Sequence, residues 1–156
     1  MKSKHSPHFK IAIYTWIFLS FSIPICAQNT TIPDANFEQA LIDLGYDTAP
    51  TNGMIPTANI NTVENLDVTN KNISDLTGIE DFTELLNLEC DDNSISSIDL
   101  SSNLKLGSLR IRNNNLSVLD LTNNTEMLFL FCNDNQLTNL NISTCVDLQW
   151  MDCWSN

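Results

Sequence analysis

Histidine occurs twice in these 156 residues, as His5 and His8, and nowhere after them. Everything downstream lacks the side chain most used as a general base and metal ligand near neutral pH. Glycine is nearly as scarce. Its four copies leave no glycine-rich loop to cradle a phosphate. Lysine and arginine total 7 against 19 acids. A chain so short of cations is a poor partner for nucleic acid or anionic lipid, which are held by cationic contacts. Long apolar runs are missing too. The longest, Ile11 to Ile25, has 15 residues, fewer than the about 20 a spanning helix needs. These absences disfavour an enzyme and predict no cofactor, no metal, no nucleic-acid partner and no transmembrane span once the leader is removed.

That apolar run is preceded by Lys2, Lys4 and Lys10 and followed by Cys26-Ala27. A basic start, an apolar middle and a small-residue exit form a secretory signal, so residues 1–27 are read as a signal peptide cleaved after Ala27. Ile23-Pro24-Ile25 lacks the small residues that would make Cys26 a lipid attachment site. The expected location is secreted or cell-surface. With the leader gone, four bases face 19 acids, a formal −15.

What is present is a repeat. In lines of 21 the chain from Leu85 reads LLNLECDDNSISSIDLSSNLK, LGSLRIRNNNLSVLDLTNNTE, MLFLFCNDNQLTNLNISTCVD and LQWMDCWSN. Leu88, Leu109, Leu130 and Met151 share a column; Cys90, Ile111, Cys132 and Cys153 share another. Asn93, Asn114, Asn135 and Asn156 share a third. A fixed period of this size signals a solenoid. The first unit, 63–84, is one residue longer and carries Lys71 where the others have the column Asn. The others are 85–105, 106–126, 127–147 and a partial 148–156. The last line stops in mid-unit, so either the reading frame continues past Asn156 or the chain is a truncated product.

The LxxLxC/I segment is a short strand followed by a sharp inward turn. Alternation sends Leu88 and Cys90 inward, and Glu89 and Asp91 outward. An inward turn strands backbone N–H and C=O groups inside the coil. An Asn amide, with two donors and an acceptor, can satisfy them, and stacked coils would repeat the solution as a ladder. The second half of each unit, as in Ile98-Asp99-Leu100, Leu119-Asp120-Leu121 and Leu140-Asn141-Ile142, predicts another extended piece on the opposite side. Residues 28–62 read as an N-terminal cap over the first coil. Gln28 to Thr31 is a polar lead-in. Asp34 caps a helix that shows Phe37, Leu41 and Leu44 on one face and stops at Gly45; Tyr46 to Thr57 is a loop of turns.

On these columns the chain resembles secreted bacterial leucine-rich-repeat proteins of the 21-residue class, with unit LxxLxLxxNxLxxLDLxxNxx. Its KNISDLT stretch, Lys71 to Thr77, is similar to the internalin type of unit. The resemblance covers residues 63–156. It implies an arc with a parallel β-sheet on the concave side, short extended or turn segments on the convex side, and a binding role with no chemistry of its own. It names no ligand, because repeats set the scaffold and outward residues set the partner.

The outward positions run in rows: Asn65/Asp67/Thr69, Asn87/Glu89/Asp91, Ser108/Arg110/Arg112, Phe129/Phe131/Asn133 and Trp150/Asp152/Trp154. They pass from acidic through basic to aromatic. Aromatics beside arginine are typical of interface hot spots, and flat rings also suit sugar faces. Arg110, Arg112, Phe129, Phe131, Trp150 and Trp154 are the candidate recognition patch, for a protein or glycan ligand. The alternative for this run is that it packs against further repeats or a following domain, and the alternative for the chain is a structural or spacer array within a larger secreted protein.

Four cysteines follow the leader. Cys90, Cys132 and Cys153 fall in the inward column as small apolar fillers, with Cys145 elsewhere. Cys90 and Cys132 sit two coils apart, about 9.6 Å at a strand spacing of about 4.8 Å, beyond a disulfide's reach. Cys132 and Cys153 are on adjacent strands and are either bridged or buried thiols. Without histidine, none is expected to act as a nucleophile. Asp91, Asp92, Asp134 and the Asp99/Asp120 column are oxygen donors suited to Ca²⁺, but no EF-hand loop or glycine-rich calcium repeat accompanies them. They read as a solvated acidic surface.

Overall fold

The computed structural model describes residues 28–156, so the signal peptide expected at 1–27 lies outside the described residues. At the start, Asn29–Thr31 (β1) pairs antiparallel with Met54–Pro56 (β2). The polar lead-in and the end of the turn-rich loop are therefore a ribbon. Alternation explains it: Thr30 and Ile55 face inward and their neighbours outward. Gly78, at φ +104°, receives this ribbon, and a Cβ there would sit 2.3 Å from the Ile32 Cδ1.

Between the two strands lies helix α1, Ala35–Asp43. Asp34 Oδ1 accepts from Asn36 N and Phe37 N at 2.9 and 3.1 Å, closing the first turn as an N-cap should. Gly45, at φ +83°, ends the helix. Phe37 and Leu41 are buried, and Phe37 stacks on Phe82 with ring centroids 6.4 Å apart. Leu44, expected on the same face, is 45% exposed. It caps the helix C-terminus, where the chain is already leaving the core, and Ala40 fills the buried stripe instead. The helix is tied to the first coil by polar contacts as well. Asp34 Oδ2 accepts from Ser74 N, Ser74 Oγ and Asp75 N, Asn36 Nδ2 donates to Asn72 O, and Lys71 reaches Asp43 at 3.5 Å. Buried Glu38 accepts from Asn52 N and Gly53 N and so fastens the intervening loop.

From Val63 onward each unit makes one coil. The strands Asn65–Asp67 (β3), Asn87–Glu89 (β4), Ser108–Arg110 (β5), Phe129–Phe131 (β7) and Trp150–Asp152 (β9) form one five-stranded parallel sheet. Their register aligns Leu66, Leu88, Leu109, Leu130 and Met151. On the opposite side Val118–Asp120 (β6) pairs with Asn139–Asn141 (β8), while Ile98–Leu100 stays outside any ladder. Between the two sides lies the core, built from the repeating leucine, isoleucine and cysteine columns. Each fully buried leucine contributes roughly 2 kcal/mol of transfer free energy.

Two amide columns line the bends. Asn114 is typical of the first. Its Nδ2 donates to Cys90 O, Ile111 O and Arg112 O, and its Oδ1 accepts from Ile95 N at 2.9 Å. Asn93, Asn135 and Asn156 make the same set one coil earlier, one later and two later. The turn before each rung passes through the left-handed region at Asn70, Asp92, Asn113, Asp134 and Ser155, mostly Asn and Asp, which tolerate it. In the first coil Lys71 N donates to Asn93 Oδ1, so the longer unit joins the ladder without an amide of its own.

Candidate functional site

The outward sheet face starts acidic. Asn87 Nδ2 donates to Asn65 Oδ1 across β3 and β4, with Asp67 and Glu89 exposed beside them. The next row brings in cations. Arg110 Nε lies 3.6 Å from Glu89 Oε2 and 3.5 Å from Asp91 Oδ2, and its guanidinium stands 5.4 Å from the Phe131 ring centroid. That is cation–π range, so Arg110 bridges the acidic row and the aromatic one.

Asp91 is not the outward, solvated acid that alternation predicts. It is 3% exposed. It lies past the end of β4, where the chain begins to turn inward, and its carboxylate is fully engaged. Oδ1 accepts from Arg112 N at 2.7 Å, and Oδ2 accepts from Arg112 Nε and Nη2 at 2.9 and 2.5 Å. That side-chain hydrogen bond is the chief reason the Arg112 pKa stands above the ordinary arginine value. Arg112 is thus a clamp between two coils, not a charge held out to a ligand. Asn133, expected outward in the same row position, is likewise buried, with its Nδ2 donating to Asp134 Oδ2.

The aromatic rows stay open. Phe129 is 38% exposed and its register partner Trp150 is 61% exposed. Trp154, just past β9, is also 61% exposed. Phe131 is half-buried under Arg110. All six candidate residues lie on one face or its edge. Phe129 adjoins Trp150, Arg110 meets Phe131, and Arg112 is turned aside onto Asp91.

Cys90, Cys132, Cys145 and Cys153 are free thiols. Burial, reinforced by Asp91 and Asp67, pushes the Cys90 thiol well above its ordinary pKa. Burial and the neighbouring Cys153 thiol push Cys132 up to about 12. Cys145 is raised by burial as well. Such thiols stay protonated and apolar at neutral pH.

The remaining acids have local work. Asp99 and Asp120 each accept from the backbone N–H two residues on, at Ser101 and Thr122, closing Asx turns. Asp99 is held below its usual pKa by hydrogen bonds from Ser101. Among the described residues no three His, Cys, Asp or Glu side chains gather as a ligand set, and no helix is long and apolar enough to cross a membrane.

Sequence reasoning missed the second amide column. Asn103 Nδ2 donates to Ile79 O and Phe82 O, and Asn124 Nδ2 to Leu100 O and Asn103 O. Cys145 holds the next place, its Sγ 3.7 Å from Leu121 O and Asn124 O. The spacing of 21 from Asn103 to Asn124 to Cys145 was the available signal.

The stacked coils, inward leucines and amide rungs define an internalin-like leucine-rich-repeat solenoid. Its fold matches that of the functional domain of InlJ from Listeria monocytogenes, described as including a cysteine ladder, at a TM-score of 0.66 and 29% identity. That match covers 81% of this chain and 33% of that one. An internalin, InlF, from the same species matches in fold at a TM-score of 0.65 and 21% identity, over 78% of this chain and 43% of that one. The chain therefore spans between a third and a half of the length of these structures. No protein-family model matches it, and no curated protein does.

Proposed function

We propose that this chain is an exported, non-enzymatic recognition module that binds a protein through the concave sheet around Phe129, Phe131, Arg110, Trp150 and Trp154. One observation carries the reading. The inward column of that sheet is buried from Leu66 to Leu130, with Met151 of the last coil 44% exposed, whereas its outward rows change chemistry coil by coil and reach open aromatics already at Phe129, one coil earlier. Exposed tryptophan beside phenylalanine costs solubility and adds nothing to the core, which is the pattern of a contact surface. Buried, protonated thiols and the lack of histidine in residues 28–156 support the absence of catalysis. The basic signal-like start supports export to the medium or cell surface, and the internalin-like fold supports adhesion as the use.

A photo-reactive residue placed at Ser108 on the concave sheet, and separately at Ser117 beside β6, tests this on cells displaying the full chain. Crosslinks to a polypeptide from Ser108 alone, lost when Phe131→Ala and Trp150→Ala are added to a folded chain, are the expected result. Equal crosslinking from Ser117, or crosslinks that survive the double substitution, would overturn the concave patch. Recovery of carbohydrate in place of a polypeptide would make the ligand a glycan. The spacer role has one observation in its favour, since both arginines are spent on contacts between coils. It predicts no crosslink from either position.

A further inference from the structure

The backbone does not require a glycine at position 107. Its φ is not in the left-handed region. A Cβ there would meet Glu126 O at 3.5 Å and Leu86 O at 3.8 Å, ordinary contacts. The equivalent places in neighbouring coils hold Leu86, Leu128 and Gln149. Glycine costs backbone entropy in such a position and often marks the close approach of something else. Here its missing side chain opens a notch at the starting ends of β4, β5 and β7, walled by Leu86, Leu104, Leu128 and Phe129. Leu104 is 57% exposed, and Leu86 and Phe129 are exposed beside it.

The backbone around the notch is already saturated. Gly107 N and Ser108 N both donate to Leu86 O, and Leu128 N and Phe129 N both donate to Gly107 O. An added strand has nothing to pair with, so an occupant must enter by its side chain. Asn87, Lys105, Ser108 and Glu126 also line the notch, but the three leucines and Phe129 make its walls mainly apolar, which suits a hydrocarbon group better than a sugar's hydroxyls.

The surroundings say what flanks that group. One column at this end of the strands reads Glu84, Lys105, Glu126, Asp147, and the notch column begins with Glu64. Lys105 is spent on Glu84. Among the described residues Glu64, Glu126 and Asp147 enter no ion pair. All four cations of residues 28–156, Lys71, Lys105, Arg110 and Arg112, are already matched to carboxylates. Lys105 being paired with Glu84, any further positive charge here must come from outside, and opposite charge would both steer and hold it.

We infer that the notch over Gly107 takes one apolar side chain from a partner polypeptide whose flanking residues are cationic. The inference rests on the chain being a protein-binding module, but it uses the starting ends of the strands and shares only Phe129 with the recognition patch proposed on the concave face.

Three short peptides test it by NMR titration of the full, isotopically labelled chain: acetyl-Lys-Lys-Leu-Lys-Lys-amide, the same with a central Ala, and the same with Glu flanks. The leucine–lysine peptide should shift the amides of Gly107, Leu128 and Phe129. It should bind about tenfold more tightly than the alanine peptide, the order expected for burying part of a leucine. The Glu-flanked peptide should leave those amides in place. Gly107→Val, which fills the notch, should weaken the leucine peptide by about tenfold while leaving the alanine peptide unchanged. Equal binding of the leucine and alanine peptides would overturn the inference. So would shifts confined to Arg110, Phe131 and Trp150, a result that would leave the concave reading standing. If Gly107→Val fails to fold, Leu104→Ser removes an exposed wall instead, and unchanged affinity there would overturn the notch equally.

Discussion

Each coil bends inward twice, and asparagine lines both bends in different ways. Under the concave strands, Asn93, Asn114, Asn135 and Asn156 use the whole amide, donating to carbonyls and accepting from the next segment's N–H. Under the opposite bend, Asn103 and Asn124 only donate, and neither Oδ1 finds a partner among the described residues. The difference explains a substitution. Where both halves of the amide are needed, every rung is Asn. Where only a donor is needed, Cys145 takes a place with its weakly donating thiol. A ladder position is thus as strict as the number of backbone groups it must satisfy.

The largest expected effect that would break this comparison is at the first ladder. Asn114→Ala strands Ile95 N and removes the donor from three carbonyls, a loss of about 3 kcal/mol or more. Urea unfolding followed by circular dichroism measures it. Asn124→Ala, losing donors alone, should cost about 1–2 kcal/mol in the same assay, and Asn124→Cys about half of that. If the two alanine variants fall equally, the two ladders are not different in kind. In the reverse direction, Cys145→Asn should stabilise by about 0.5–1 kcal/mol, because an amide donates better to Leu121 O and Asn124 O than a thiol does.

The smallest effect sharpens the contrast from the acceptor side. Asp34 is an acceptor-only closure. Partial burial raises its pKa, but hydrogen bonds from Ser74, Phe37 and Asp75 outweigh that and leave it below its ordinary 3.8. A carboxylate with a depressed folded pKa contributes stability that is complete above its unfolded value and disappears as pH falls through the folded one. Acidification from about pH 5 to about pH 2 should therefore loosen helix α1 before the coils. Hydrogen exchange of the Phe37 to Leu41 amides reads this out, and Asp34→Ala should flatten that acid limb.

Much of the architecture was legible because a repeat reports the same environment several times over. The inward leucine column, the first amide ladder, the Asp34 cap and the Gly45 stop follow from local rules applied to single residues. The β1–β2 ribbon was not legible. Its strands are three residues each, with 22 residues between them, in polar, turn-rich sequence, so alternation has too little length to register. Leu44 was misplaced because helical spacing continues on paper past the point where the helix ends. For the candidate patch, the outward placement of its rows was legible but the contacts of the side chains were not. Asp91 and Arg112 stand 21 apart, as do Glu89 and Arg110, and Glu84 and Lys105. Those outward columns, like the inward ones, carry the signal that pairs the cations and ties Arg112 to Asp91.

Taken alone, the sequence determined the coil, its period and which columns point inward, because burying a leucine and satisfying a turn are demands each unit meets in the same way. Only the tertiary structure decided that Asp91 turns under Arg112, that Glu38 fastens a loop from inside the core, and that Gly107 leaves a gap. Those outcomes depend on what the adjacent coil or the packed helix places within a few ångströms, and electrostatics and steric fit act on that separation and not on distance along the chain.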